Sequence, residues 1–364
     1  MSNFYITTPL YYVNDKPHIG HAYTTILADV IARHRRIMGD NVHFLTGTDE
    51  HGQKIQEAAS KRNISPKEHV DEFVIRFQDL WKKLNIKHDD FIRTTEKRHT
   101  DRVKEFLVLL YEKGEIYSAE YEGLYSVSEE RFVTEKEVED GGFREIITLK
   151  EKNYFFKMSK YQQPLIDHIK NHPDFIKPQS RLNEVLGFLK KPLNDLCISR
   201  PKSRLNWGIE IPFDKDYITY VWFDALLNYV SAIGWNDDEN NLKKWWPANY
   251  QLMGKDILTT HAVYWPTMLM AANISLPKTI IAHGWWIDDG VKMSKSIGNV
   301  IDPLELIDLY GLDSVRYFLM RDMVVGMDAN FNIDLFVKRY NSDLANDFGN
   351  LVNRVTMLIH KYFN

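Results

Sequence analysis

Cysteine is nearly absent from this sequence, because Cys197 is the single thiol among 364 residues. One cysteine can form neither an intramolecular disulfide nor a cysteine zinc knuckle, which fits a reducing compartment. Long apolar runs are lacking too, since none approaches the roughly 18 residues that span a bilayer. The N-terminus leads directly into the first predicted strand and leaves no room for a signal peptide. We therefore expect a soluble, cytoplasmic protein with no membrane partner.

A surplus of positive charge is also missing. The formal net charge is −4, so any contact with nucleic acid must come from local basic patches. Apolar residues make up 44% and aromatic residues 13% of the chain, which is enough for sizeable cores in two or three structural units. The aromatic content fits bulky core filling as well as pockets for flat or apolar ligands.

Strand and helix signals alternate through much of the chain, which is typical of an α/β protein with a doubly wound parallel sheet. Functional loops of such sheets lie at the carboxyl ends of the strands, where His18–His21 and Gly47–Gly52 both fall. The predicted segments, in chain order, are a first α/β half (1–116), a small inserted module with β-like pieces at Leu124–Val127 and Ile146–Leu149 (117–160), a second α/β half with a buried strand at Lys278–Trp286 (161–290), a basic loop with linking helices (291–330) and the start of a helical bundle (331–364).

The first strand, Phe4–Thr7, is followed by a loop and then by helical spacing. We expect Asn14 or Asp15 to cap that helix and Pro17 to lie in its first turn. A helix N-terminus can bind an anion such as phosphate. Gly20 has no Cβ, so a purine can approach the backbone closely there.

A second basic motif is Lys292-Met293-Ser294-Lys295-Ser296, which follows a predicted hairpin around Gly290. Its lysines could contact phosphate oxygens, although a short motif of this kind also occurs as an exposed basic turn. Lys157-Met158-Ser159-Lys160 has the same sequence as the first four residues of this motif. We interpret it instead as a helix start capped by Ser159.

Aromatic and polar side chains recur at helical spacing in two further places. A core stripe is the ordinary explanation, but the polar residues Asp256 and His261 on apolar helices favour a lined cavity. The two sets are Trp222, Ala225 and Tyr229 on one predicted helix face, and Ile257, His261 and Trp265 on another.

Together the His18-Ile19-Gly20-His21 and Lys292–Ser296 motifs resemble the signature of class I aminoacyl-tRNA synthetases, and the chain is most similar to the methionyl-tRNA synthetases over residues 3–364. The matching stretches are TTPLYYVNDKPHIGHAYTT, TGTDEHGQKI, NYFFKMSKYQ, YVWFDALLNY, GKDILTTHAVYWP, IAHGWWIDDGVKMSKS and NSDLANDFGNLVNR. The resemblance implies a Rossmann-like catalytic core, a connective module and a C-terminal helical anticodon-binding domain.

The resemblance also implies the reaction. L-Methionine and ATP give methionyl-adenylate and pyrophosphate, and the methionyl group then passes to tRNA(Met). Positioning and charge stabilisation supply most of such catalysis. Mg²⁺ would be bound on the phosphates without a dedicated protein cage.

The implied roles are assigned to the matching positions of this sequence. The catalytic residues are His18, His21, Lys292 and Lys295; the ATP-binding residues are Gly20, His283, Gly284, Lys292, Ser294, Lys295 and Ser296; the methionine-binding residues are Leu10, Tyr12, Asp49, Trp222, Ala225, Tyr229, Ile257 and His261; the supporting residues are Arg200, Asp256 and Trp265; and the anticodon-binding residues are Asn350 and Arg354. Aromatic walls suit a thioether through sulfur–ring contacts.

Two departures from the family pattern stand out. Thr260 occupies a position where many relatives have Phe, which changes one wall of the pocket. Ser126 and Ser128 stand where zinc-binding relatives carry cysteines, and hydroxyls do not replace thiolates as zinc ligands. We therefore expect no structural zinc and no metal site made by protein side chains, since Asp49-Glu50-His51 are adjacent loop residues with poor ligand geometry.

Three alternatives remain open at this point. A class I synthetase for leucine, isoleucine or valine would need an editing insertion, for which Ile116–Lys160 is too short. A small nucleotidyltransferase would lack the second motif, and a non-catalytic tRNA-binding paralogue would not need both motifs. We expect a monomer. We also expect its contacts with the tRNA anticodon to be incomplete, because the sequence stops inside a predicted helix at Asn364.

Overall fold

The computed structural model describes residues 2–126, 131–133, 138–139, 145–288, 290–292 and 301–363. Its strands, in chain order, are β1 (Asn3–Thr7), β2 (Tyr11–Tyr12), β3 (Asn41–Asp49), β4 (Asp90–Arg93), β5 (Ile116–Ser126), β6 (Arg131–Val133), β7 (Ile146–Phe156), β8 (Ile176–Lys177), β9 (Leu196–Cys197), β10 (Ser199–Pro201), β11 (Glu210–Ile211), β12 (Asp214–Thr219), β13 (Tyr250–Gly254), β14 (Ile280–His283), β15 (Trp286–Asp288), β16 (Val291–Lys292) and β17 (Ala329–Asn330).

The α-helices are α1 (Ile19–Ile37), α2 (Gln53–Lys61), α3 (Pro66–Lys83), α4 (Lys97–Glu112), α5 (Gln162–Asn171), α6 (Gln179–Phe188), α7 (Val221–Ala225), α8 (Asn228–Ser231), α9 (Glu239–Trp245), α10 (Trp265–Ala272), α11 (Pro303–Tyr310), α12 (Leu312–Asp322), α13 (Ile333–Arg339) and α14 (Gly349–Phe363). Short 3-10 turns span Met158–Tyr161 and Lys255–Ile257, and π-helical stretches span Thr260–Tyr264 and Tyr340–Phe348. None of the helices in the described ranges could cross a bilayer.

A parallel sheet lies at the centre of the fold, which confirms the predicted α/β class. β1 pairs with β3 on one side and with β13 on the other, and β13 continues to β14 and then β8. β2 and β4 also pair with β3. The chain therefore winds outward in two directions from the contact between β1 and β13. In open sheets of this kind, the crevice at the carboxyl ends beside such a reversal is the usual place for a ligand.

The cap of α1 differs from the prediction. His18, not Asn14 or Asp15, is the N-cap residue, and Pro17 precedes the helix. The Gly20 N–H donates to His18 Nδ1 at 3.1 Å, and the His18 N–H donates to His21 Nδ1 at 3.2 Å. The two imidazoles thus replace the hydroxyl and carboxylate of an ordinary capping box.

The inserted module is built on a long antiparallel pair. β5 and β7 have 11 residues each and pair from Ile116 with Phe156 to Ser126 with Ile146. The sequence predicted β structure here but only at the tip of the pair, because charged residues in the middle of both strands, such as Glu120 and Lys150–Lys152, interrupt the apolar pattern.

Ser159 is not a cap, which corrects the interpretation of the second Lys-Met-Ser-Lys stretch. It lies inside the 3-10 turn, and its Oγ donates to Asp195 Oδ1 at 2.6 Å. The neighbouring Lys160 pairs with Glu115 at the foot of the module. This copy of the motif is therefore engaged in structural contacts.

The predicted strand over Lys278–Trp286 is two strands. β14 ends at His283, and β15 begins at Trp286 and pairs antiparallel with β16. The hairpin turn before the basic motif is confirmed, with Gly290 at φ +81°. The break arises at Gly284, where an added Cβ would lie 2.0 Å from the Met327 carbonyl oxygen, so another chain segment passes directly against the backbone.

The helical character of the C-terminal segment is confirmed from Ile333 to Phe363. Apolar side chains of α14 are exposed among the described residues; these are Leu351, Val352, Val355, Met357, Leu358, Ile359, Tyr362 and Phe363.

Candidate active site

The N-terminus of α1 carries two stacked imidazoles. The His18 and His21 rings lie 3.8 Å apart between centroids at an interplanar angle of 25°. Each Nδ1 accepts a backbone N–H, so each neutral ring carries its proton on Nε2. The first turn contains no acidic residue. Two imidazole N–H donors and the positive end of a 19-residue helix therefore form a site suited to phosphate oxygens.

Gly20 has a structural role that the sequence did not reveal. A Cβ added there would lie 2.9 Å from Cε1 of His18, so a larger residue would push the His18 ring off its cap position. The room that Gly20 would make for adenine stays a prediction, and the shape of the capping motif gives an independent reason for glycine.

His283 lies at the carboxyl end of β14 and is connected to α1. Its Nδ1–H donates to the Gly284 carbonyl at 2.7 Å, and its Nε2 lies 2.7 Å from Thr24 Oγ1. Burial lowers the pKa of His283, which keeps the ring neutral and makes Nε2 the acceptor for the Thr24 hydroxyl. Both ring nitrogens are thus used inside the protein. Sequence reasoning missed Thr24, which lies one helical turn after Gly20.

Asp256 lies in the turn after β13, next to the β14 end. Gly254 permits this fold-back, since an added Cβ would lie 2.6 Å from Asp256 Oδ1. Trp285 Nε1 donates to the same oxygen at 3.3 Å, and the Lys255 ammonium lies 4.0 Å from the centroid of the Trp285 ring. Lys255 also pairs with Asp328 at 2.7 Å. These groups form a charged rim on the second half of the sheet.

The predicted methionine pocket centres on His261. Its Nδ1–H donates to the Ile257 carbonyl at 2.9 Å, and its Nε2 accepts the Tyr229 hydroxyl at 2.8 Å. Burial lowers the pKa of His261 to about 4, so the imidazole is neutral at physiological pH. The Trp222 ring meets it edge-on with centroids 6.1 Å apart, and Trp265 lies 5.8 Å from Tyr229.

The two predicted helix faces do meet, but neither is a regular helix. Trp222 and Ala225 lie on α7, Tyr229 lies on α8, and His261 lies in the π-helical stretch before α10. Such π-helical turns are frequent at functional sites. Tyr5 adds a contact that was missed, because its hydroxyl donates to the Tyr229 carbonyl at 2.9 Å. Its place on a buried strand gave no sign of this bond.

The end of β3 and the adjoining β2 segment carry the other predicted methionine-binding residues. Asp49 is buried and is paired in register with Tyr12 of β2. Leu10 packs against Gly47, where an added Cβ would also lie 2.0 Å from the Ile92 carbonyl oxygen. The side chain of Tyr12 contacts both large apolar clusters of the protein. Leu10, Tyr12 and Asp49 therefore lie together at the carboxyl edge of the sheet.

The side chains of Glu50 and His51, which follow Asp49, contact different partners. Glu50 accepts from Arg93 at 2.6 Å and from Thr48 at 2.7 Å, whereas His51 Nδ1 contacts Asp224 Oδ2 at 3.0 Å. Within the described ranges no group of three or more His, Cys, Asp or Glu side chains could hold a metal ion.

Arg200 lies behind α7. It is buried, its guanidinium carbon lies 4.5 Å from the centroid of Tyr220, and its Nη1 donates to the Ser199 carbonyl at 2.7 Å. Tyr220 immediately precedes α7. A supporting role for Arg200 would act through this residue.

The second basic motif is placed only in part. Lys292 belongs to β16, and Ser294, Lys295 and Ser296 lie outside the described residues, as does Ser128 of the inserted module. Their assigned roles stay predictions.

Comparison with known proteins identifies the family. A family profile described as tRNA synthetases class I (M) matches residues 4–141 and 144–356. This chain belongs to that family. Methionine–tRNA ligase of Clostridium tetani is 52% identical over 367 residues, covering 99% of this chain and 57% of that protein. Methionine–tRNA ligase of Rickettsia prowazekii is 50% identical over 364 residues, covering 99% and 71% respectively.

A solved structure supports the same assignment. Mycobacterium tuberculosis methionyl-tRNA synthetase in complex with methionyl-adenylate superposes with a TM-score of 0.94 at 42% identity, covering 99% of this chain and 72% of that chain. The chain thus spans somewhat more than half the length of the Clostridium relative and about three quarters of the Mycobacterium one.

The structure also places three other residues that the sequence analysis named. Asn350 and Arg354 lie one turn apart on α14 with exposed side chains. Thr260 begins the π-helical stretch beside His261.

Proposed function

We propose that the chain is a methionine–tRNA ligase, which activates L-methionine with ATP to methionyl-adenylate and then transfers the methionyl group to tRNA(Met). The observation that supports the proposal is the placement of two groups beside the paired strands β1 and β13. The stacked imidazoles of His18 and His21 lie at the N-terminus of α1, which follows β1 and β2, and the aromatic cluster around His261 follows β13. The Mycobacterium relative was solved with methionyl-adenylate, in which a methionyl group is joined to the phosphate of AMP.

The activation step needs a carboxylate and the α-phosphate of ATP in line. The Nε2–H groups of His18 and His21 and the α1 N-terminus would stabilise the negative charge that grows on the phosphates. Lys292 and Lys295 would neutralise the leaving pyrophosphate. Mg²⁺ enters as the MgATP substrate, held mainly by phosphate oxygens.

The pocket suits an uncharged side chain. His261 is neutral because of its burial, and Tyr229 uses its hydroxyl on that imidazole. The Trp222 ring and these two rings leave apolar faces for a polarizable thioether. Asp49, on the other side, would hold the ammonium of methionine.

Transfer to tRNA rests on Asn350 and Arg354, which could contact unstacked anticodon bases together. We further propose that the protein acts as a monomer in the cytoplasm. The alternative function, a class I synthetase for leucine, isoleucine or valine, can be tested by comparing these amino acids with methionine as substrates.

The test is ATP–pyrophosphate exchange with the purified chain. We expect methionine to support exchange, whereas leucine, isoleucine and valine support little. Absence of exchange with methionine would refute the proposal, and equal exchange with valine would favour the aliphatic synthetase alternative. A non-catalytic tRNA-binding paralogue would bind tRNA(Met) without any exchange.

A further inference from the structure

A buried charge network lies behind the predicted methionine pocket and has no part in the roles assigned so far. Asp224 of α7 is completely buried. Its Oδ2 lies 3.0 Å from His51 Nδ1, and its Oδ1 lies 3.5 Å from His99 Nε2. His99 Nδ1 in turn lies 2.8 Å from Ser231 Oγ. The network connects the β3–α2 loop, α4, α7 and α8.

The carboxylate of Asp224 is held in its charged form. Burial alone would raise the pKa of Asp224, but the charge of and hydrogen bond from His51, with a smaller contribution from His99, hold it below its usual value. A buried anion is strongly unfavourable unless it is paired and hydrogen-bonded. The two imidazoles therefore fix the position of α7, because moving the helix would separate them from the carboxylate.

This network lies next to two sets of predicted methionine-binding residues. Trp222 and Ala225, which would contact the methionine side chain, belong to the same five-residue helix as Asp224. Asp49, which would bind the methionine ammonium group, is two residues before His51. The contact between His51 and Asp224 thus joins the two segments that carry these predicted binding residues.

We propose that Asp224 is a positioning residue for the amino acid: held between His51 and His99, it fixes the distance between Trp222 and Asp49 and thereby sets the affinity for methionine. The inference rests on the proposed methionine-activating function. A positioning role differs from a purely structural one in its expected effect. Loss of the Asp224 contacts should raise the KM for methionine and leave the KM for ATP nearly unchanged.

The test measures the KM for methionine and for ATP separately in pyrophosphate exchange. We expect Asp224→Asn to raise the methionine KM about tenfold or more, since a small displacement of a binding wall has large effects. The ATP KM and kcat should change by no more than about threefold, as expected for lost ground-state binding of one substrate. Quenching of tryptophan fluorescence by methionine supplies the affinity without turnover.

His51 offers a pair of variants that separates the hydrogen bond from packing. His51→Asn keeps an N–H donor near the Nδ1 position but carries no charge, so it should raise the methionine KM less than His51→Leu, which should raise it as Asp224→Asn does. The double variant His51→Leu/Asp224→Asn should raise the methionine KM no further than His51→Leu alone, because His51→Leu already removes the contact that Asp224→Asn weakens.

Asp29 is the matched control. It is also completely buried and pairs with Arg33 at 2.7 Å and Arg316 at 2.5 Å, but it lies on the interior of α1 and faces α12. Asp29→Asn should lower the melting temperature and leave the methionine KM unchanged.

The outcomes are distinguishable. If the wild-type chain exchanges with methionine and Asp224→Asn does not change the methionine KM, or changes the ATP KM equally, the positioning role is overturned and the proposed function stands. If the wild-type chain shows no exchange with methionine, both are overturned.

Discussion

Substitution of His18 by Asn separates two tasks that this side chain combines. His18 Nδ1 accepts the Gly20 N–H and so caps α1, while Nε2–H would be the donor to phosphate in the proposed function. Asn is among the best N-cap residues, because its amide oxygen accepts the same backbone N–H groups. His18→Asn should therefore keep the cap and lose the phosphate donor, whereas His18→Ala should lose both.

The expected magnitudes differ enough to be told apart. Loss of one preorganised transition-state donor lowers kcat by about 10²–10³, or roughly 2.7–4 kcal/mol. Loss of an N-cap lowers the free energy of unfolding by about 1 kcal/mol. A protein that is stable by about 5–15 kcal/mol stays folded after such a loss, so unfolding cannot account for a hundredfold fall in rate.

The assay is pyrophosphate exchange at saturating methionine, together with thermal unfolding of each variant. We expect both variants to exchange about 10²-fold more slowly or worse, with only His18→Ala melting earlier. His21→Gln is a useful companion, since Gln at the third helical position can accept the His18 N–H. An exchange rate of His18→Asn close to wild type would refute the donor role, and equal melting of the Asn and Ala variants at a lowered temperature would refute the capping role.

Three other predictions follow. Lys295→Ala should lower the activation rate by about 10²–10³, whereas Lys160→Ala in the other Lys-Met-Ser-Lys copy should leave it unchanged; equal rates for both variants would contradict the assignment. The free energy of unfolding should fall as the pH drops from about 6.5 to about 4, because His261 then binds a proton only in the unfolded chain. Its share is about 3 kcal/mol, and His261→Gln should flatten the measured pH dependence of stability by that amount. Gly47→Ala should destabilise the protein severely, whereas Gly187→Ala, which meets no atom within 4 Å, should be neutral or stabilising by up to about 1 kcal/mol in urea unfolding.

The sequence predicted the sheet and which residues lie at the carboxyl ends of its strands. Alternating strand and helix signals placed His18–His21 and Asp49 at strand ends, and both lie at the carboxyl edge of the parallel sheet. These features depend on local periodicity and on general rules of α/β folds, which a single chain carries in its residue order.

Other features depended on contacts between distant residues. The π-helical turn at His261 arises where its ring must reach the Tyr229 hydroxyl, 32 positions away. The network around Asp224 brings together residues from positions 51, 99 and 231, and no spacing in the chain connects them. One signal was available, because a carboxylate within the apolar run Val221–Leu227 needs a buried partner.

The long pairing of β5 with β7 has a consequence for how this enzyme family can vary. Ile116 faces Phe156 at the base of the pair, so the chain leaves and re-enters the catalytic core at a single point. Whatever length lies beyond that point, the distance between α4 and α5 stays the same. Evolution can therefore lengthen, shorten or replace the far end of the module without disturbing the sheet, and an engineer could graft a reporter domain there by the same route.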